Sequence, residues 1–446
     1  MAYNKELLKD KYSSLSLKNC FGMRTDINDN VSYFCSDKCA YISGNFIVIS
    51  TIKEKTQYFI PANPNYGEIT CFSIDEKGDI ILLAFAQKGE KNIITLKFMN
   101  KNDIGNENGI REVKLSPDDL EYGDYFISIS VNLTKFYIAA FFGTKVSGIV
   151  LYYYDPKNTQ TKIIAGERLT SKYNYKQIKI NPYDPNYFAV IGEGAFAVFK
   201  YNENDKKLNR AEVTQVSYPE FEKCVFNFVT FTWVNQTRMA IINYSCDIFI
   251  IDYIKKFDTP IKKVIRSTEL FDTKSRAKSI FSKFNNIYLV KDDGYTLKLE
   301  SKNIESKQIS YDKINGPKFI QNLPRMEVHT VSVNNPSNAV GNYAGVLISS
   351  ESGQLFHIEI SNDSSLFEGS NFKHFISPFH SEEIVSLDCA KNKPLVATAS
   401  KDRYIRIWNY VSIQLESSET FEEEPTHIAF HPNGLHLATL FRSKCK

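Results

Sequence analysis

Residues 380–409 read HSEEIVSLDCAKNKPLVATASKDRYIRIWN, and the reading of the rest of the chain depends on them. Apolar residues cluster at Ile384, Val385 and Leu387, and the turn Lys391-Asn392-Lys393-Pro394 follows. Two further apolar runs, Leu395 to Ala399 and Ile405 to Trp408, flank the turn Ser400-Lys401-Asp402-Arg403. Three antiparallel strands fill the stretch and leave no room for a helix. A histidine ahead of the first strand, a turn aspartate and a tryptophan closing the third can join one buried network. His380 is expected to bridge Asp402 and, through Thr398 or Ser400, the indole N–H of Trp408. A buried imidazole and indole need hydrogen-bond partners, so the network satisfies both and fixes the hairpin against its neighbour.

This spacing resembles the WD repeat, one blade of a β-propeller, with Trp408-Asn409 where Trp-Asp is usual. The fold class expected for the whole chain is all-β. At 446 residues it can hold one complete ring of blades of about 40 to 50 residues and something more. An aromatic content of 13% and abundant β-branched residues favour strands.

Read in order, residues 1–19 suggest a Lys-rich arm. From Cys20 short apolar runs recur at blade spacing, beginning with Val31 to Cys35, Lys38 to Ser43, Phe46 to Thr51 and Gln57 to Ile60. Further units are expected around 67–100, 125–166, 176–214, 225–264, 277–311 and 328–360. That makes seven, the number that most often closes a ring. The polar segment 361–379 reads as a linker, and 380–446 as one and a half blades of a second, partial propeller. Its last strands are Thr426 to Phe430 and Leu435 to Leu440. An eight-bladed ring that takes in residues 380–421 is the alternative. Closure is expected to pair strands from both termini in one blade.

Net charge is +3, from 54 basic and 51 acidic residues, which does not point to nucleic acid. Eight scattered cysteines without a secretory signal read as reduced thiols. No apolar run approaches the 18 or so residues a membrane-spanning helix needs.

In such a fold catalytic residues would lie in the loops at the ring faces. Gly192-Glu193-Gly194 lacks the helix of a dinucleotide site, and Cys35-x-x-x-Cys39 lacks a second ligand pair for zinc. His427, His431 and His436 surround an ordinary His-Pro-Asn-Gly turn. Glu422 to Glu424 and Lys255-Lys256 read as solvated loop faces. No catalytic residue, cofactor site or metal site is expected, and convergent acids at the central channel are not visible in the sequence.

Beyond the single repeat, the chain resembles a family of cilia- and flagella-associated WD-repeat proteins with two N-terminal propellers and a coiled coil. The resemblance rests on Phe21-Gly22, the YISGN of residues 41–45, Gln57 to Pro61 and the start at Gly67-Glu68-Ile69-Thr70. It is clearest in Lys393 to Thr398 running into Asp402 to Tyr410, and in His431-Pro432-x-Gly434. It implies a non-catalytic scaffold in the ciliary or flagellar axoneme, docking inner dynein arms or the neighbouring regulatory complex on doublet microtubules. The implied partners are axonemal scaffolds, dynein-arm or regulatory subunits and tubulin. Nucleic acid and membrane are not among them. The chain stops without the coiled coil, as a shortened member or an incomplete record would, and a partner strand is expected at 380–446. A general cytosolic WD-repeat adaptor in trafficking or ubiquitin transfer is the alternative function.

Overall fold

A computed structural model describes residues 17, 19–20, 22–35, 37–52, 56–89, 92–102, 104, 111–115, 125–143, 147–158, 160–169, 173–214, 224–253, 261–266, 276–292, 296–300, 311–314, 327–334, 343–361, 373–374 and 379–443. The expected N-terminal arm and the Lys255-Lys256 pair lie outside them, apart from isolated residues at the end of the arm. Among the described residues the strands form nine antiparallel sheets, eight of four strands and one of two, and the only helical piece is a 3₁₀ turn, Pro64–Tyr66. In every four-stranded sheet the strands are consecutive in sequence.

Sheets 1 to 7 span residues 31–61, 68–115, 126–169, 174–214, 228–265, 277–314 and 328–374. Their first strands line one central channel of about 370 Å³, with Phe34, Ser73, Ser130, Lys179, Thr232, Ser282 and Ser332 each supplied by a different sheet. Middle strands are buried on both faces and are therefore continuously apolar. In Ile80–Lys88, Ile81, Leu83 and Phe85 pack towards sheet 1, while Leu82, Ala84 and Ala86 pack towards sheet 3. One apolar cluster of this kind fills each of the seven junctions. Each fully buried Ile, Leu or Phe in them stabilises the ring by about 1.5–3 kcal/mol.

Two expectations are corrected, and one strand is added. The outer strand of sheet 7, Lys373–His374, pairs with Phe356 and His357, so the segment read as a linker contributes to that sheet. Arg111–Leu115 completes sheet 2 and was not anticipated, because its half-exposed pattern resembles a solvated loop. Among the described residues no sheet combines strands from the two ends of the ring, so the expected shared blade is not seen. The ring's seam between sheets 1 and 7 is made by side chains. Tyr33 N–H donates to Ser332 Oγ at 3.1 Å, Ser349 Oγ donates to Asn30 Oδ1 at 2.9 Å, and His329 Nε2 donates to the Ile27 carbonyl at 2.9 Å. Beneath them Val31, Tyr33, Tyr41 and Val48 pack with Leu347 and Leu355. A seam crossed by these hydrogen bonds and filled by buried apolar side chains does not need strand exchange.

Sheet 8 comprises Ile384–Cys389, Leu395–Ser400, Tyr404–Asn409 and Gln414–Thr420, and sheet 9 comprises Pro425–Phe430 and Leu437–Phe441. The strand Ile384–Cys389 does not line the channel, and its Ile384 and Leu387 are exposed. Sheets 8 and 9 share a small core of Ala397, Ala399, Ile405 and Ile428. Sheet 8 joins the ring through Phe379, whose carbonyl accepts from Gln354 Nε2 at 3.0 Å and whose ring shares the seam cluster with Trp408.

Candidate functional site

The residues singled out in the WD-type repeat are brought together. Trp408 ends one strand and Thr398 lies on the neighbouring strand. Asp402 sits in the turn between them, where Arg403 takes the left-handed backbone conformation at φ 66°. Trp408 Nε1 donates to Thr398 Oγ1 at 2.9 Å, and Thr398 Oγ1 lies 2.8 Å from His380 Nε2. His380 Nδ1 lies 3.0 Å from Asp402 Oδ2. Arg406 Nη1 also lies 2.6 Å from His380 Nδ1, and with Asp402 Oδ2 as the shared acceptor of both groups the tautomer assigned carries its proton on Nδ1. Protons then pass along the series from indole to hydroxyl, hydroxyl to imidazole, and imidazole to carboxylate, and each finds an acceptor. Of the two routes left open, the structure takes Thr398. Ser400 Oγ instead donates to the Glu382 carbonyl at 3.0 Å and accepts from Asp402 N–H at 3.2 Å.

Asp402 also accepts from the backbone N–H groups of Ser381 and Tyr404, at 3.0 and 2.9 Å, and from Arg406 Nη1 at 2.9 Å. Arg406 was missed in the sequence. Its signal was a charged side chain between Ile405 and Ile407 in a strand paired on both sides, which calls for a nearby counter-charge. Burial pushes the Asp402 carboxyl up, but the bond from His380, the Tyr404 N–H and the Arg406 charge outweigh it and hold the carboxyl well below its ordinary range. Burial and the Arg406 charge keep the His380 imidazole below its ordinary value despite Asp402, so it is neutral at pH 7.

A histidine oriented by an aspartate is half of a catalytic set, but a general base must reach a substrate proton. Here the free nitrogen is capped by Thr398, which is itself held by Trp408, and the His380 and Asp402 side chains are only 5% and 3% exposed. The set fastens a hairpin.

The other sequence candidates are placed as follows. Gly192 to Ala195 form a hairpin between two strands of sheet 4. His431 Nδ1 accepts from Asn433 N–H at 3.2 Å within its turn. Cys35 Sγ donates to Asp37 Oδ1 at 3.1 Å, and Cys35 and Cys39 are free thiols whose pKa values burial raises. Among the described residues no group of three or more His, Cys, Asp or Glu side chains converges as a metal site would require.

The channel holds charge that the sequence did not reveal. Asp75 lies on the first strand of sheet 2, where burial raises its carboxyl to about 6, and it accepts from Leu133 N–H at 2.7 Å. Lys283 ends the first strand of sheet 6, is 7% exposed, and donates to the carbonyl of Asn334 at 2.8 Å. Burial lowers its ammonium to about 8. Lys179, on sheet 4, donates to the Phe231 carbonyl at 3.3 Å.

Comparison with known proteins places this geometry. The model of the WD domain, G-beta repeat family matches residues 373–409. Cilia- and flagella-associated protein 57 of mouse is 21% identical over 461 residues, which cover 96% of this chain and 35% of the mouse protein. Cilia- and flagella-associated protein 57 A of Tetrahymena thermophila is 42% identical over 103 residues, 23% of this chain and 8% of that protein. The chain spans about a third of the length of the curated relatives it matches over most of its own. The crystal structure of Saccharomyces cerevisiae Sqt1 superposes with a TM-score of 0.51 at 10% identity, covering 85% of this chain and 95% of that one. The chain has a WD-repeat β-propeller fold, and it has homologues named as cilia- and flagella-associated proteins over most of its length.

Proposed function

We propose that this chain, a relative of cilia- and flagella-associated protein 57 over most of its length, is a non-catalytic scaffold of the ciliary or flagellar axoneme. In this reading it helps dock inner dynein arms or the neighbouring regulatory complex on doublet microtubules. The match to the mouse protein across 96% of the chain carries the proposal. The capped His380 network supports a binding role over a catalytic one.

In the same reading residues 20–374 are one seven-bladed propeller, and 380–446 begin a second that presses on the first through Phe379 and Trp408. A scaffold gains from such a contact, because two loop-bearing faces are then held at one angle. The partner surface is assigned to sheets 8 and 9. Leu387, Leu435 and Leu440 are exposed there at 64%, 67% and 46%. The strand Leu437–Phe441 pairs on one side only among the described residues. An open edge beside exposed leucines invites another strand, so a stable protein partner is expected for 380–446.

The test is expression of the tagged chain in a ciliated cell, followed by salt extraction of axonemes and mass spectrometry. Retention on the axoneme, with loss of inner-arm dyneins on deletion, is expected. A diffuse cytosolic signal with no axonemal peptides would overturn the reading in favour of a general adaptor.

A further inference from the structure

The channel is blocked at one end by the chain itself. In the segment from Arg24 to Asn30, Arg24 Nη1 donates to the Ile69 carbonyl on sheet 2 at 3.0 Å, and Asp29 Oδ2 accepts from Gln177 Nε2 on sheet 4. The Ile27 carbonyl accepts from His329 on sheet 7 at 2.9 Å. One short segment therefore touches strands on opposite sides of the ring. At the other end Tyr183 lines the cavity and is 46% exposed, so among the described residues that mouth is open. The volume of about 370 Å³ falls within the range of ligand pockets.

The charges around this blind channel are unevenly distributed. Sheets 4 and 6 contribute Lys179 and Lys283, and Trp233 lines the arc between them with a buried indole N–H that has no acceptor. Lys283 is a buried cation whose hydrogen bonds go only to Asn334, with no carboxylate among the described residues in ion-pair reach. A buried charge is ordinarily paired, so an unpaired one lining an open cavity marks a place for an anion. On the opposite arc Asp75 is a half-buried acid that makes no ion pair among the described residues, with only the charge of Lys77 acting on it from nearby, while Glu76 is paired with Lys101 at 3.0 Å. A compact, multiply charged anion would be repelled by Asp75. A polypeptide carries carboxylates and N–H donors together and suits both walls.

We propose that the open mouth of the channel binds an extended acidic peptide segment of another protein, with a carboxylate at Lys283 and Lys179 and backbone N–H groups towards Asp75. This site is separate from the sheet 8 and 9 edge, and it stands whether or not the chain is axonemal.

The experiment titrates the full chain with a fluorescein-labelled hexaglutamate peptide, followed by anisotropy and by intrinsic tryptophan fluorescence, in which Trp233 reports on the channel. Saturable binding is expected, with hexaglutamine at least about tenfold weaker. Lys283→Met is expected to weaken hexaglutamate at least about tenfold, and Lys179→Gln by a smaller factor. Lys157→Gln removes an exposed lysine outside the channel and is expected to leave affinity unchanged, which separates the site from bulk charge. Lys283→Met removes a buried cation, so its thermal midpoint should match or exceed that of the unsubstituted chain, and lost binding then cannot be lost folding. Equal affinity of the Lys283→Met and unsubstituted chains would overturn the proposal. So would absence of saturable binding, or binding of inorganic phosphate alone with the same Lys283 dependence.

Discussion

Replacing Asp402 with alanine tests the network in its most demanding part. The carboxylate accepts from His380, from two backbone N–H groups and from Arg406, and the Arg406 side chain is only 6% exposed. Removing one member of a buried ion pair strands the other, at a cost of about 3–5 kcal/mol. Arg406→Met is the milder change, because Asp402 keeps three donors. It is expected to cost about 1.5–3 kcal/mol, the worth of a hydrogen bond to a charged group. The double variant no longer buries an unpaired cation and should be more stable than Asp402→Ala alone. Since the chain has several sheets, one global unfolding energy is ill-defined, and hydrogen exchange followed by mass spectrometry is the suitable assay. At 1.4 kcal/mol per decade, amides of residues 395–409 should exchange about two to three and a half decades faster in Asp402→Ala, up to the limit set by opening of the repeat. Peptides from sheet 4 serve as the internal control. Protection within tenfold of the unsubstituted chain, or a double variant weaker than Asp402→Ala, would refute the reasoning.

Three further outcomes follow from the geometry. His380 is kept neutral, with its pKa below the ordinary value, so its contribution is complete above about pH 6.5 and is lost as pH falls below that. Asp402, also lowered, adds a second loss that begins below about pH 3.9. Exchange of 395–409 measured from pH 7 downwards should accelerate beyond its intrinsic pH dependence, and His380→Gln should abolish the first step only. Phe379→Ala opens a cavity in the seam cluster and should cost about 3–5 kcal/mol, read as faster exchange around Leu355 and Trp408 together. Gly192→Ala places a Cβ 2.4 Å from the Asn174 carbonyl oxygen and 2.5 Å from Tyr175 Cα, backbone atoms that cannot yield, and should lower the ring's thermal midpoint by the equivalent of about 1–3 kcal/mol.

The strands legible in the sequence are those whose two faces are buried. Val31–Cys35, Lys38–Ser43 and Phe46–Thr51 fall where apolar runs and intervening turns place them. An outer strand such as Arg111–Leu115 has less to bury, so its composition does not separate it from a loop, and Lys373–His374 is too short to show any alternation. The choice between Thr398 and Ser400 was equally invisible. Residues two apart on a strand share a face, and only the pairing of Thr398 with Arg406 and Leu387 selects the first. Channel charges were hidden for a related reason. Asp75 looks like a turn residue until its strand is seen to run on to Lys77.

The side-chain seam between sheets 1 and 7 gives the ring a mechanical weak axis. Sheets that share strands resist being drawn apart in shear, with a whole ladder of backbone bonds loaded at once. This seam has no such ladder, and a pull at its edge loads its contacts one after another. The other six junctions are crossed by the continuous chain, whereas this one is held by Tyr33, Asn30, Ile27 and the apolar residues beneath them. Traction across this seam should therefore peel the ring open at a single hinge line before a four-stranded sheet unravels. The Phe379–Trp408 contact is the clasp that must slip first.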